Sequence, residues 1–213
     1  ECGPIALLYH STSLSGRVGP DTVPSLYGTR PYLPGAPVFA DPKALAAAVD
    51  VLHHAERPVI IAGNGVRFED ARTQLQMLSN RLKAPVATTA SGKGAFPEDH
   101  EMSLGVFGTF GLAAANALVG DADVILVVGS KLAPSDTARE NTELIDPMRQ
   151  TLIQIDIEPK NAGWTFPCDH VLVGDAAGVL SRINQGIQDS GALSEAVLKS
   201  RKDRVETAKK SHG

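Results

Sequence analysis

The sequence predicts a three-layer α/β/α domain built on an open, mostly parallel sheet of five or six strands. Three observations predict it. From Pro58 onward, apolar runs of strand length alternate with helical patterns, the rhythm of parallel strands joined by crossover helices. Each run is nearly free of polar alternation, as in strands covered on both faces. Glycine follows four of the five recognisable runs, where a strand turns sharply into the next helix.

The elements follow in order. Residues 1–40 contain Pro4, Pro20, Pro24, Pro31, Pro34 and Pro37, which leave only Ile5 to Tyr9 long enough for a strand, so this stretch reads as an extended connector. Asp41 then offers an N-cap with Pro42 at the first helical position, and Leu45, Ala48, Val49 and Leu52 continue at helical spacing. Val59 to Ala62 is the first strand, followed by a helix from about Glu69 to Leu82. Val86 to Thr88, Val124 to Val128, Leu152 to Ile155 and His170 to Val173 supply the next four. Helices are predicted over Leu112 to Val119 and over Ala176 to Ile187, the latter capped by Asp175. Ser194 to Lys210 has helical composition but a thin apolar stripe of Ala196, Val197, Val205 and Ala208, which predicts a peripheral helix or linker. The compact domain is thus expected over 41–188, with 189–213 as a linker helix.

Composition narrows the function. The 213 residues carry 20 Lys and Arg against 24 Asp and Glu, and the net charge of −4 gives no electrostatic reason to bind nucleic acid or an anionic membrane. No apolar run approaches the roughly 18 residues of a membrane span. Two cysteines, Cys2 and Cys168, lack neighbours at metal-ligand spacing, which leaves no zinc site or disulfide framework and suits a reduced, cytoplasmic setting. The first residue is Glu1 rather than Met, so a piece of a longer polypeptide is expected. The six histidines are scattered, and no triad or carboxylate pair announces itself.

Ligands of open parallel sheets sit beyond the carboxyl ends of the strands. Gly63-Asn64-Gly65 follows the first strand, where a phosphate could approach the backbone; the bland alternative is a tight turn. A dinucleotide fingerprint fails, because Phe68 stands where a further glycine is needed and Thr88-Thr89 where an acid is. Ser91-Gly92-Lys93-Gly94 is not a P-loop, since Gly94 replaces the required hydroxyl residue, and Lys93 reads as a solvated or ion-paired charge. Gly105 to Gly111 could bring amides and a ring face to a flat ligand, and Phe107 and Phe110 could equally be core. Gly129-Ser130-Lys131 follows the third run. Asp156 leaves the fourth, where a carboxylate can accept from ribose hydroxyls or simply cap a turn beside Pro159. Gly174-Asp175 ends the fifth, with Asp175 best read as an N-cap. The residues alone describe a nucleotide-sized binding module without visible catalytic machinery.

The order of these motifs, from Arg57-Pro58-Val59-Ile60-Ile61-Ala62-Gly63-Asn64-Gly65 through Ala84 to His100, Ser103 to Gly111, Ala122 to Gly129, Ile155-Asp156-Ile157-Glu158-Pro159 and Val173-Gly174-Asp175-Ala176, resembles a known family. It is similar to the central domain of the thiamine diphosphate-dependent enzymes of the acetolactate synthase, benzoylformate decarboxylase and oxalyl-CoA decarboxylase superfamily, over about Asp41 to Ile187. The resemblance implies a Rossmann-like (DHS-like) NAD/FAD-binding fold and a parent enzyme acting on 2-keto acids or acyl-CoA analogues. It implies flanking domains of the same chain as partners, the preceding one pyrimidine-binding and the following one diphosphate-binding, in a dimer or tetramer. Thiamine diphosphate and Mg²⁺ would bind those flanking domains, leaving this chain without a catalytic or metal-binding residue and inactive by itself. FAD or ADP is the ligand the resemblance implies for this domain, at Gly63, Asn64, Gly65, Thr89, Ala90, Gly105, Phe107, Gly108, Gly129, Lys131, Asp156, Ile157, Gly174 and Asp175. At Lys131 such synthases have an arginine, so the diphosphate clamp would lose its fork. A free-standing adenine-nucleotide or regulatory module, and a scaffold with a vestigial pocket, are the alternative readings.

Overall fold

The computed structural model describes residues 6–17, 19, 28, 40–68 and 71–212. The chain divides into two compact units, residues 1–36 and 37–213. The first has a single turn of 3-10 helix at Ser11–Leu14 among its described residues. The strand expected over Ile5 to Tyr9 does not form at 6–9, where Leu7, Leu8 and Tyr9 are exposed and have no neighbouring strand; Ile5 and most of the connector lie outside the described residues.

The second unit holds six parallel strands, β1 (Pro58–Ala62), β2 (Val86–Thr88), β3 (Ser103–Val106), β4 (Val124–Val128), β5 (Thr151–Asp156) and β6 (His170–Val173), in the order β3-β2-β1-β4-β5-β6. Strand order reverses between β1 and β4, which pair from Pro58 against Val124 to Ala62 against Val128. β3 is the strand that periodicity misses, because Gly105 interrupts it and only Ser103 and Leu104 are buried. Its pairing with β2 shifts register between Val86 and Ala87.

Alternation along the central strands sorts their apolar side chains into two layers. Ile60, Leu126 and Ile153 face α1 (Pro42–His54), α3 (Arg72–Leu82) and α5 (Ala176–Asp189), packing on Leu52, Leu75, Leu78, Val179 and Ile183. Val59, Ile61, Ile125, Val127 and Leu152 face the other layer, where α4 (Ala113–Gly120) supplies Ala115, Leu118 and Val119. Asp41 caps α1 by accepting from the amides of Lys43 and Ala44 at 3.0 Å, and Asp175 caps α5 through Gly178 N at 2.7 Å. The helix expected from Glu69 starts at Arg72 after a separate turn, α2 (Gly65–Phe68), while Glu69 itself lies outside the described residues.

The last helix, α6 (Glu195–His212), docks mainly through polar groups. Val205 is its main apolar anchor, with Ala208 packed beside the same core. Arg201 is 3% exposed and donates to the carbonyls of Leu82 (2.5 Å) and Ala55, the C-terminal ends of α3 and α1, where helix dipoles favour a cation. Arg204 donates to Leu118 O at 3.2 Å and pairs with Asp121, and Lys209 donates to Glu101 O at 2.8 Å. The Glu101 carboxylate bridges Lys83 (2.7 Å) and Lys202 (2.9 Å), and those two ammonium groups hold its pKa down at about 2.

A carboxyl with a lowered folded pKa stabilises fully above its ordinary value of 4.5 and loses that contribution as pH falls toward 2. Because Glu101 is partly exposed, the contribution is no more than about 1 kcal/mol. Hydrogen exchange of α6 amides, corrected for intrinsic rates, will therefore accelerate relative to α5 as pH falls from 4.5 toward 2, and Glu101→Gln will remove most of that dependence. Equal acceleration in α5 and α6 would mean that the bridge does not hold the helix.

Candidate functional site

The parallel sheet brings the turns after β2, β1, β4 and β5 side by side at its carboxyl edge, where β1 and β4 diverge. At that point the two central turns touch backbone to backbone. Gly63 N donates to Val128 O at 2.8 Å and Gly65 N to Gly129 O at 3.0 Å, while Gly129 N donates across to Ile155 O at 2.9 Å. A Cβ on Gly63 would overlap the Gly129 carbonyl, and one on Gly129 would stand 2.6 Å from Gly65 Cα. Gly129 also has φ of +61°, which L side chains adopt at a cost. These glycines thus make the tight-turn contact, and their amides are spent within the protein.

The amides one step further on are not. Asn64, Ala90, Ser130 and Ile157 donate to no protein acceptor among the described residues, so four adjacent turns each present an N–H at this edge. Thr89 is buried beneath them; its amide donates to Ala62 O at 3.1 Å and its hydroxyl accepts from Gly92 N at 2.9 Å. Asp156 is 7% exposed. Its Oδ1 accepts from Glu158 N (2.9 Å) and Asn161 Nδ2 (3.1 Å), which is the turn-capping role, and its Oδ2 has no protein donor among the described residues.

The remaining candidates lie further out. Phe107 is core at 1% exposure, packed with Met102 and Leu118, whereas Phe110 is 76% exposed. Gly105 has φ of +70° beside Leu112, and Gly108 is held by Asn116, whose Oδ1 accepts from its amide at 2.7 Å. Both belong to the β3 end of the sheet. Gly174 donates to Asp156 O at 3.0 Å and Asp175 is committed to its cap, at the β6 end. With strands about 4.8 Å apart, the β3 and β6 turns are about 24 Å from each other, so the candidates form a rim rather than one cavity. Lys131 is exposed, its ammonium 4.5 Å from the centre of the Trp164 ring in a cation–π contact. Lys93 pairs with Glu98 at 2.6 Å.

Two contributors escaped the sequence reading. Gln154 is buried in β5, donates to Ser130 O (2.9 Å) and Asn161 O (3.0 Å), and accepts from Gly163 N and the Cys168 thiol, so one side chain fixes the β4 and β5 turns together. A lone amide inside the apolar run 152–155 was its signal. The second is the segment after β4, where Leu132, Ala138, Arg139 and Glu140 all have φ between 51° and 61°. Nearby Asp136 is pushed up by burial, a shift Lys131 opposes. Among the described residues no group of three His, Cys, Asp or Glu side chains could hold a metal, and no helix is long and apolar enough to cross a membrane.

A family model described as the thiamine pyrophosphate enzyme central domain matches residues 45–183. A probable acetolactate synthase large subunit of Methanocaldococcus jannaschii is 39% identical over 139 residues, which are 65% of this chain and 23% of the relative. A sulfoacetaldehyde acetyltransferase of Alcaligenes xylosoxydans is 34% identical over 78% of this chain and 28% of its own length. A probable 2-ketoarginine decarboxylase of Pseudomonas aeruginosa is 34% identical over 75% and 28%. The chain spans about a quarter of the length of these relatives.

The switch-point contact can be tested directly. Gly129→Ala will lower stability by about 2 kcal/mol or more, combining left-handed strain with overlap on Gly65. Gly94→Ala, with φ of +83° but nothing within 4 Å of the added methyl, will cost about 1 kcal/mol. Urea midpoints that do not rank the two in this order would show that the turns can separate without loss.

Proposed function

The chain belongs to the thiamine pyrophosphate enzyme central-domain family, and on that footing we propose that it is the central domain of a thiamine diphosphate-dependent enzyme acting on 2-keto acids or acyl-CoA analogues. The names of its relatives, a synthase, an acetyltransferase and a decarboxylase, support a lyase or transferase that cleaves or forms a bond beside a carbonyl. Thiamine diphosphate would supply the electron sink for that carbanion. On this reading the cofactor and its Mg²⁺ belong to flanking domains, the parent enzyme is a dimer or tetramer in the cytoplasm, and these 213 residues alone turn over no substrate. Their own task is to hold the neighbouring domains in register on a rigid sheet.

We further assign the carboxyl edge to the adenosine diphosphate part that FAD and ADP share. The observation that carries this is the row of unspent amides at Asn64, Ala90, Ser130 and Ile157 next to the unpaired Oδ2 of Asp156. Backbone N–H groups at the ends of parallel strands donate to phosphate oxygens, and a carboxylate oxygen accepts from ribose hydroxyls. Lys131 contributes a point charge without the bidentate fork of arginine.

Calorimetric titration of the chain with ADP and with FAD is expected to give saturable one-site binding. Asp156→Asn preserves the Oδ1 turn contacts but replaces the free acceptor with a donor, and is expected to weaken binding about tenfold, a little over 1 kcal/mol. Unchanged affinity in the variant would remove the ribose role from Asp156. No binding of either ligand to the native chain would leave the scaffold reading with a vestigial pocket.

A further inference from the structure

Trp164 is the chain's one tryptophan, and it stands 54% exposed in the loop after β5. A single exposed apolar residue is ordinary, so what sets this one apart is its place. Its loop is tied to both sides of the edge site. Trp164 N donates to Asn161 O at 3.2 Å, and Asn161 Nδ2 donates to Asp156 Oδ1 at 3.1 Å, so the loop that carries the ring also fixes the carboxylate whose Oδ2 is unpaired. Thr165 Oγ1 donates to Lys131 O at 3.0 Å, and the Lys131 ammonium lies 4.5 Å from the ring centre. Lys131 directly follows Ser130, whose amide is unspent. Gln154 accepts from Gly163 N at 2.8 Å and donates to Ser130 O, which pins this segment to the β4 turn before any ligand arrives and spares the cost of ordering it.

The ring decides what it can receive. An indole is a flat, electron-rich surface that takes either a cation or a second flat ring. At an exposed site the contact with an ammonium is worth about fivefold in affinity or less, whereas a nucleobase stacked on an aromatic side chain is worth about fivefold or more. A base therefore takes the ring from Lys131, and a diphosphate offers the released ammonium a charge-assisted partner. Asp136 lies close enough to feel that ammonium, whose place in the free chain is nevertheless over the ring. We propose that Trp164 is the stacking surface for the base of the adenosine diphosphate group, with Lys131 passing from the ring to the diphosphate as the ligand binds. This role rests on the nucleotide assignment of the carboxyl edge and adds the residue that recognises the base.

The test uses ADP as the probe, because a flavin absorbs where indole emits and would quench it without contact, whereas adenine does not. Calorimetry of the full chain measures binding, and the emission of Trp164, which no other tryptophan obscures, measures contact with the base. Emission is expected to change and to saturate at the ADP concentration at which the heat does. Trp164→Leu keeps an apolar side chain at this exposed position but removes the ring, and is expected to weaken ADP about tenfold. Inorganic pyrophosphate, which lacks the base, is expected to bind that variant no more weakly than the native chain, and Trp164→Phe to recover part of the loss in ADP affinity. Equal weakening of ADP and pyrophosphate would show that the ring only holds its loop. Unchanged ADP affinity in Trp164→Leu, or ADP binding with steady emission, would show that the base lies elsewhere. Each of these overturns the role of Trp164 and leaves the nucleotide assignment standing, whereas the absence of ADP binding to the native chain overturns both.

Discussion

The close approach of the β1 and β4 turns is the constraint on which this domain depends. β1 leads into α2 and α3 on one face of the sheet, whereas the segment after β4 packs Leu132, Leu144 and Ile145 on the other, and it is where connections part in this way that such sheets bind ligands. Here Gly63, Gly65 and Gly129 let the two turns lie against each other and exchange hydrogen bonds before they part. The two turns therefore meet backbone against backbone, and the amides of Gly63, Gly65 and Gly129 are already satisfied. The next residues along, Asn64, Ala90, Ser130 and Ile157, have amides that donate to no protein acceptor among the described residues.

Around this floor the protein uses buried polar side chains as ties. Gln154 joins the β4 turn to the loop after β5, Thr89 closes the β2 turn, and Asn116 holds Gly108 against the start of α4. Each side chain bonds backbone groups of the turn it ties, among them Ser130 O, Gly163 N and Gly108 N, so its removal would cost the desolvation of those it leaves unpaired. At the other edge, Asp123 accepts from the amides of Glu56 and Arg57 at 2.6 and 2.8 Å, fixing the entry to β1 beside that to β4. The two edges thus share a device, a side chain whose bonds to backbone groups fix neighbouring strand ends together.

α6 shows how a helix with little apolar surface can be docked. Arg201 terminates two helices at once, a role for which its fixed planar fork is suited and a lysine is not. Burial lowers the affinity of its guanidinium for the proton, with Asp123 opposing, yet an arginine remains charged under any ordinary condition. The cost of burying it is offset by the two helix-end carbonyls it satisfies.

Periodicity alone gave the central strands, because Val59 to Ala62 and Val124 to Val128 are apolar on both faces and only a doubly covered parallel strand suits that pattern. The caps at Asp41 and Asp175 were equally legible, since Asp before a helical period is a local hydrogen-bonding arrangement. The family was legible from the order of motifs along the chain. β3 was not, because a short strand containing Gly105 exists only through its pairing with β2. Nor could spacing separate Phe107, which is core, from Phe110, which is exposed, as the backbone between them turns at Gly108. Above all, the sequence displayed the glycines but not their purpose. Which amides they spend, and which they leave free, depends on the distance between two turns some 65 residues apart, and so does the meeting of Arg201 with the ends of α1 and α3. Local chemistry writes helices, strands and caps into the sequence; contacts between distant segments are decided only when the sheet brings them together.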